Sequence, residues 1–112
     1  MIVDEDGELY TPPIWVDFMH IDWENHVRLD LPGTQRDLTR LELELTEGRR
    51  IVIYQEDADD AGTIDDLVTA GTGHFDPEES RWVAIVDWDS VRHVSELPQR
   101  AADRYKRYRH VN

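Results

Sequence analysis

Between residues 48 and 93 the sequence sets short apolar runs between turns at the spacing of strands and hairpins. Glu47-Gly48 turns the chain into Arg49-Arg50-Ile51-Val52-Ile53-Tyr54, apolar on both faces and therefore expected in the middle of a sheet. Gly71 and Gly73 interrupt residues 67–75, where they permit a bulge or sharp curvature. Asp76-Pro77-Glu78-Glu79-Ser80 supplies the next turn. On the return arm Trp82, Ala84, Val86 and Trp88 fall on one face and Val83 and Ile85 on the other, so both faces are expected to be covered. These signals agree in order and length. They predict a mainly β domain, a small, partly open barrel with one short internal helix and a C-terminal helix.

The flanks complete the layout. Residues 1–13 are acidic and end in Thr11-Pro12-Pro13, which predicts an extended leader, with packed structure beginning at Ile14. Residues 14–21 are rich in β-branched and aromatic side chains, Asp22-Trp23-Glu24-Asn25 offers a turn, and residues 26–31 alternate, so a first hairpin is expected there. Pro32-Gly33 stops that strand, and Thr34 with Asp37 predicts a capped helix over residues 35–40. Leu41-Glu42-Leu43-Glu44-Leu45 has the period of a strand. After one helical turn at residues 89–93, Val94-Ser95-Glu96 is expected to add a last short strand. Pro98 suits the first position of a terminal helix reaching His110. The expected division is a leader (1–13), a barrel (14–97) and a basic helix (98–112) packed on the same domain.

The order of elements over residues 41–96, from Leu43-Glu44-Leu45-Thr46-Glu47-Gly48 through a long loop and a hairpin to a one-turn helix and short strand, resembles that of SH3-like small barrels. The resemblance is one of layout and implies the fold alone, because the aromatic ladder that grips proline-rich peptides is not identifiable. More loosely, the whole chain resembles a family of uncharacterised bacterial proteins, which implies no activity.

Charge narrows the partners. The chain carries 12 Lys and Arg against 25 Asp and Glu, a formal charge of −13. Residues 1–98 hold 7 basic and 24 acidic groups, whereas residues 99–112 hold 5 basic and 1 acidic. So acidic a body repels phosphate, which disfavours nucleic acid and anionic membranes and leaves cationic partners open. The longest apolar run, Trp82 to Val86, is far too short to span a bilayer. An acidic N-terminus lacks the pattern of a secretory signal, so the expected compartment is the cytoplasm. With no cysteine there is no disulfide, thiolate metal site or Cys nucleophile.

Motifs for catalysis are missing. Ser80, Ser90 and Ser95 lie outside any nucleophile elbow, Gly71-Thr72-Gly73 lacks the length and lysine of a phosphate loop, and the expectation is a non-enzyme without a cofactor. Asp57, Asp59, Gly62 and Ile64 match positions one, three, six and eight of a calcium loop that also holds Asp66, but Ala61 and Val68 replace ligands at the fifth and twelfth. Asp57, Asp59 and Asp66 are the candidate metal ligands of that loop. His20, His26, His74, His93 and His110 form no zinc-spaced pair, and each is expected to be structural or exposed.

Two segments echo each other, Ile21-Asp22-Trp23-Glu24 and Val86-Asp87-Trp88-Asp89, each with a tryptophan between carboxylates at a strand end. Four tryptophans in so small a domain are expected mainly to fill its core. If exposed, they suit a cationic partner. The terminal helix carries Ala101, Tyr105 and Tyr108 on one stripe beside Arg100, Arg104 and Arg107; it is expected to cap the barrel with its arginines towards the acidic body, ahead of contact with another protein or subunit and, last, with nucleic acid. The leading expectation is a non-catalytic protein-interaction module. Its candidate contacts are Trp23, Trp88, Asp22, Asp87, Asp89, Tyr105 and Tyr108, its partner is a basic protein, and homo-oligomerisation stays open. Two alternatives remain, a divalent-metal or small-ligand protein using residues 56–66 and an acidic inhibitor imitating nucleic acid.

Overall fold

The computed structural model describes residues 1–109. Its elements are β1 (Ile14–Trp15), β2 (Val27–Arg28), α1 (Pro32–Arg40), β3 (Arg50–Gln55), β4 (Leu67–Asp76), β5 (Arg81–Val86), β6 (Arg92–His93) and α2 (Gln99–Tyr108), with one-turn 3-10 helices at Trp88–Ser90 and Val94–Glu96. The strands form one sheet in the order β1-β3-β4-β5-β2, with β6 paired to β4. This mainly β sheet curls into a partly open half-barrel, compatible with a small barrel. No helix among the described residues is long and apolar enough to cross a membrane.

The ten-residue β4 organises the sheet. Its first part, from Leu67 to Thr72, pairs antiparallel with β3, its second part, from Gly71 to Asp76, pairs with β5, and Leu67 and Val68 also pair with β6. A side chain at Gly73 would come within 3.1 Å of the Thr46 carbonyl. Glycine there lets residues 46–49 close on the strand, sealed by Gly73 N–H to Arg49 O (2.8 Å) and Gly48 N–H to Gly73 O (2.9 Å).

β3 is buried on both faces, as its sequence predicts. Ile51 and Ile53 join Ile14, Val27, Leu29 and Leu38 in one apolar cluster, while Val52 and Tyr54 join Ile2, Val68, Val94 and Tyr105 in another. α1 covers the first face and α2 the second. Because a strand's side chains alternate, a strand between two helical layers must be apolar throughout.

Several local expectations give way to tertiary structure. Residues 1–13 are not an unpacked leader, since Ile2 is only 2% exposed inside the second cluster. Thr11 Oγ1 accepts the N–H of Val52 (2.9 Å), taking a donor that the two-residue β1 is too short to reach. The first hairpin does not form as a unit. β1 pairs parallel with β3 and β2 pairs with β5 at the opposite end of the sheet, leaving only an Ile21–Val27 bridge. Residues 41–45 are not a strand: Glu42 has φ +51°, yet Leu41, Leu43 and Leu45 still lean on the first cluster. Thr34 does not cap α1. The helix begins at Pro32 with Leu31 as its N-cap, Thr34 is buried, and Asp37 Oδ2 instead accepts the N–H of Trp15 (2.8 Å), tying α1 to β1. Residues 94–96 are 3-10 helix, and the last short strand is Arg92–His93. α2 ends at Tyr108, and His110 lies outside the described residues.

The core is aliphatic rather than tryptophan-filled. Trp15 and Trp82 are half-buried at its margin, and Trp23 and Trp88 are exposed.

Candidate functional site

The two tryptophan-bearing segments meet at one corner of the half-barrel. Trp88 Nε1 donates to the carbonyl of Asn25 (3.0 Å), which seats the second segment on the turn made by the first. Phe18 packs edge-on against the Trp88 ring at 5.9 Å. Around that junction Met19 is 83% exposed and Trp23 78%, and Ile21 and Trp88 are also exposed. These large apolar side chains thus lie open to water and not in the core.

Carboxylates rim the corner. Asp17 accepts the N–H of Met19 (2.8 Å) and pairs with His20 (2.8 Å), and the Met19 N–H above all holds the Asp17 carboxyl below its ordinary value. Asp87 Oδ1 caps the 3-10 turn at the N–H of Asp89, and both acids are exposed. Asp22 is mostly buried, its Oδ1 accepting the N–H groups of Glu24 and His26 (both 2.9 Å). His26 sits edge-on to His74 (6.2 Å between centroids).

The other candidate contacts lie elsewhere. Tyr105 is 1% exposed, so it is core and not a docking residue, while Tyr108 is exposed on the far side of α2. The tyrosine hydroxyl donates to Asp66 Oδ2 (2.6 Å), and Arg109 Nε reaches the same oxygen (3.2 Å) with its guanidinium 4.3 Å over the Tyr54 ring. Burial and then the Asp66 bond push the Tyr105 pKa up, so its phenol stays protonated. With Ala101, Ala102 and Tyr105 in the second cluster, α2 caps the sheet, and its Arg104 (on Glu8, 3.1 Å) and its C-cap Arg109 (on Asp66) meet the acidic body.

The calcium-like loop does not gather its acids. Asp57 Oδ2 bonds His93 Nε2 (2.8 Å), Asp59 Oδ1 accepts the N–H groups of Ala61 and Thr63, and Asp66 turns inward, its Oδ2 taken by Tyr105 and Arg109. The missing fifth and twelfth ligands foreshadow this. A cleft of about 720 Å³ does open between this loop and α2, with Ile64, Asp65, Ser95 and Lys106 among its lining residues. Asp65 there accepts both the N–H and the hydroxyl of Ser95.

His93 clips that loop to the rest of the fold. Its Nε2 meets Asp57 and its Nδ1 meets Glu96 Oε1 (3.2 Å), so the imidazolium, with two donors, satisfies both acids. The Asp57 bond above all raises the His93 pKa above 6.5; burial opposes it in second place, and the Glu96 bond and the charge of Asp65 add to the rise. Asp57 and Glu96 are lowered from 3.8 and 4.5. The histidine's stabilisation is therefore complete below pH 6.5 and lost as pH rises through its raised pKa. That of the acids is complete above their ordinary values and lost as pH falls through the lowered ones. The clip is tightest between about pH 4.5 and 6.5. In NMR titration His93 is expected to titrate above 6.5, with exchange protection of amides 57–65, corrected for intrinsic rates, falling in step. Replacement His93→Gln should flatten that profile, and a His93 pKa at or below 6.5 would show that no clip exists.

Sequence reasoning passed over two features of this site. Met19 carries no motif, and its exposure follows only from the displacement of residues 17–20 out of the sheet. His26 was visible as a lone histidine, but its approach to Asp22 depends on the turn. Searches against protein-family models, curated proteins and solved structures find no match to this chain.

Proposed function

We propose that this protein is a non-catalytic interaction module whose corner of Met19, Trp23 and Trp88, rimmed by Asp17, Glu24, Asp87 and Asp89, takes a basic, amphipathic segment of another protein. The observation that carries it is the Trp88 to Asn25 hydrogen bond, which makes one contact surface of two segments 63 residues apart. Charge complementarity names the occupant. A surface of exposed indole and thioether within a strongly acidic body favours arginine or lysine interleaved with apolar residues, through cation–π contact, ion pairing and apolar burial. Nucleic-acid imitation would need only the charge and leaves the exposed indole without a use.

The test is calorimetric titration of a synthetic peptide of alternating arginine and leucine. Binding is expected to weaken at high salt and to fall by about thirtyfold in Trp23→Ala, the loss typical of an exposed aromatic anchor of about 2 kcal/mol. Trp23 makes no hydrogen bond through its indole among the described residues, so this variant should keep its fold. Unchanged affinity in Trp23→Ala would refute the assignment, as would a concentration-dependent dimer that buries the corner against a second copy.

A further inference from the structure

The turn that carries Trp23 places three metal-ligating side chains at alternate positions, Asp22, Glu24 and His26. One ligand atom from each lies within 4.8 Å of the other two, the one such group of acids and histidines among the described residues. We propose that Asp22, Glu24 and His26 bind a divalent transition-metal ion of the zinc class.

Asp22 gives the strongest indication. Its side chain is only 8% exposed. While Oδ1 takes two backbone N–H groups, Oδ2 is buried with no hydrogen-bond partner among the described residues. A buried carboxylate oxygen left unpaired is costly and calls for an occupant such as a water or an ion; unlike the equally unpartnered Thr34 Oγ1 and Asp66 Oδ1, this one sits in a group of three metal-ligating side chains. Oδ2 faces His26 Nδ1 at 3.7 Å. That is too long for a hydrogen bond, yet it is near the roughly 3.3 Å that separates two ligands of a tetrahedral ion with bonds of about 2.0–2.1 Å. The Glu24 carboxylate completes three sides of such a site. Being exposed, it leaves the remaining position open to water.

The turn is held before any ion arrives. Asp22 N–H donates to His26 O (2.9 Å), Asn25 N–H donates to Asp22 O (3.0 Å), and Asn25 adopts φ +63° to close the loop. His74 packs edge-on against the His26 ring, and Glu47 fixes His74 in turn through its Nδ1 (2.8 Å), so the ligating imidazole has a positioned neighbour. An imidazole among the ligands selects zinc, cobalt, nickel or copper over calcium and magnesium, which prefer sites made of oxygen alone. The site adjoins the docking corner and shares Glu24 with its rim, but metal titration in the absence of peptide tests it separately.

Calorimetric titration with Zn²⁺, and Co²⁺ absorption as a coordination signature, test the proposal on the full chain. One equivalent of Zn²⁺ is expected to bind, to quench or shift Trp23 fluorescence, and to show no competition from millimolar Ca²⁺. Replacement Asp22→Asn keeps the oxygen that accepts from the turn's backbone and removes only the anionic ligand, so it should fold normally and lose at least about tenfold in affinity. Glu24→Gln and His26→Gln should weaken binding comparably, with loss of the Co²⁺ bands. No Zn²⁺ binding by the parent chain, or affinity unchanged in Asp22→Asn and His26→Gln, would overturn the site, and so would displacement by Ca²⁺.

Discussion

Replacing Asp66 by alanine is expected to destabilise the protein by about 3–5 kcal/mol, the usual result of breaking a buried charged pair from one side. Its carboxylate is the shared acceptor of a buried phenol and a partly buried guanidinium, both delivered by the C-terminal part of the chain. Without it, the Tyr105 hydroxyl is left unpaired in an apolar cluster, and Arg109 keeps only the Tyr54 face. Against a total stability on the order of 10 kcal/mol for a chain of this length, such a loss moves the urea midpoint far. Tyr105→Phe should cost less, about 1–3 kcal/mol, since it removes a bond but leaves the ion pair. Equal midpoints for the parent and Asp66→Ala would mean that the triad contributes nothing to holding the helix.

Removal of α2 is expected to be larger still. Ending the chain before Gln99 strips Ala101, Ala102 and Tyr105 from Ile2, Val52, Tyr54 and Val68. Loss of a buried aromatic alone costs about 3–5 kcal/mol, and the uncovered face of β3 is continuous apolar surface prone to association. The truncated chain should lose its cooperative urea transition, bind a hydrophobic dye, and sediment as aggregates. Tyr108→Ala, at an exposed position of the same helix, should change stability by less than about 0.5 kcal/mol. A truncated body as stable and monomeric as the parent would show that the helix is an appendage.

Sequence periodicity made the centre of this fold legible and left its pairing obscure. Ile51 to Tyr54 announce a strand covered on both sides because a run with no polar face has no other place to go. Leu41, Leu43 and Leu45 carry the same quality of signal and are not a strand. Their alternation records which side faces the core, and no neighbour is available to pair with their backbone. Similarly, residues 14–16 and 27–29 look like two arms of one hairpin, whereas the sheet places them at opposite ends, since alternation is silent about partners. Ile2 escaped notice because an apolar run of three residues ahead of an acidic stretch is too short to show a period.

At the corner, the repeated carboxylate-tryptophan-carboxylate pattern was readable in sequence, but its union through the Asn25 carbonyl was not. For Asp66 the sequence even pointed the wrong way. A fifth aspartate in an acidic loop looks like a solvated ligand, and only the arrival of α2 turns it inward.

That both Ile2 and Tyr105 belong to the second cluster has a consequence for how the chain is made. β1 must find β3 in parallel across 34 intervening residues, and neither can be shielded on its outer side until residue 105 has left the ribosome. Until then the nascent polypeptide displays Val52, Tyr54 and Val68 without their cover. This is a window for a chaperone to engage, and slow codons just ahead of α2 would lengthen it.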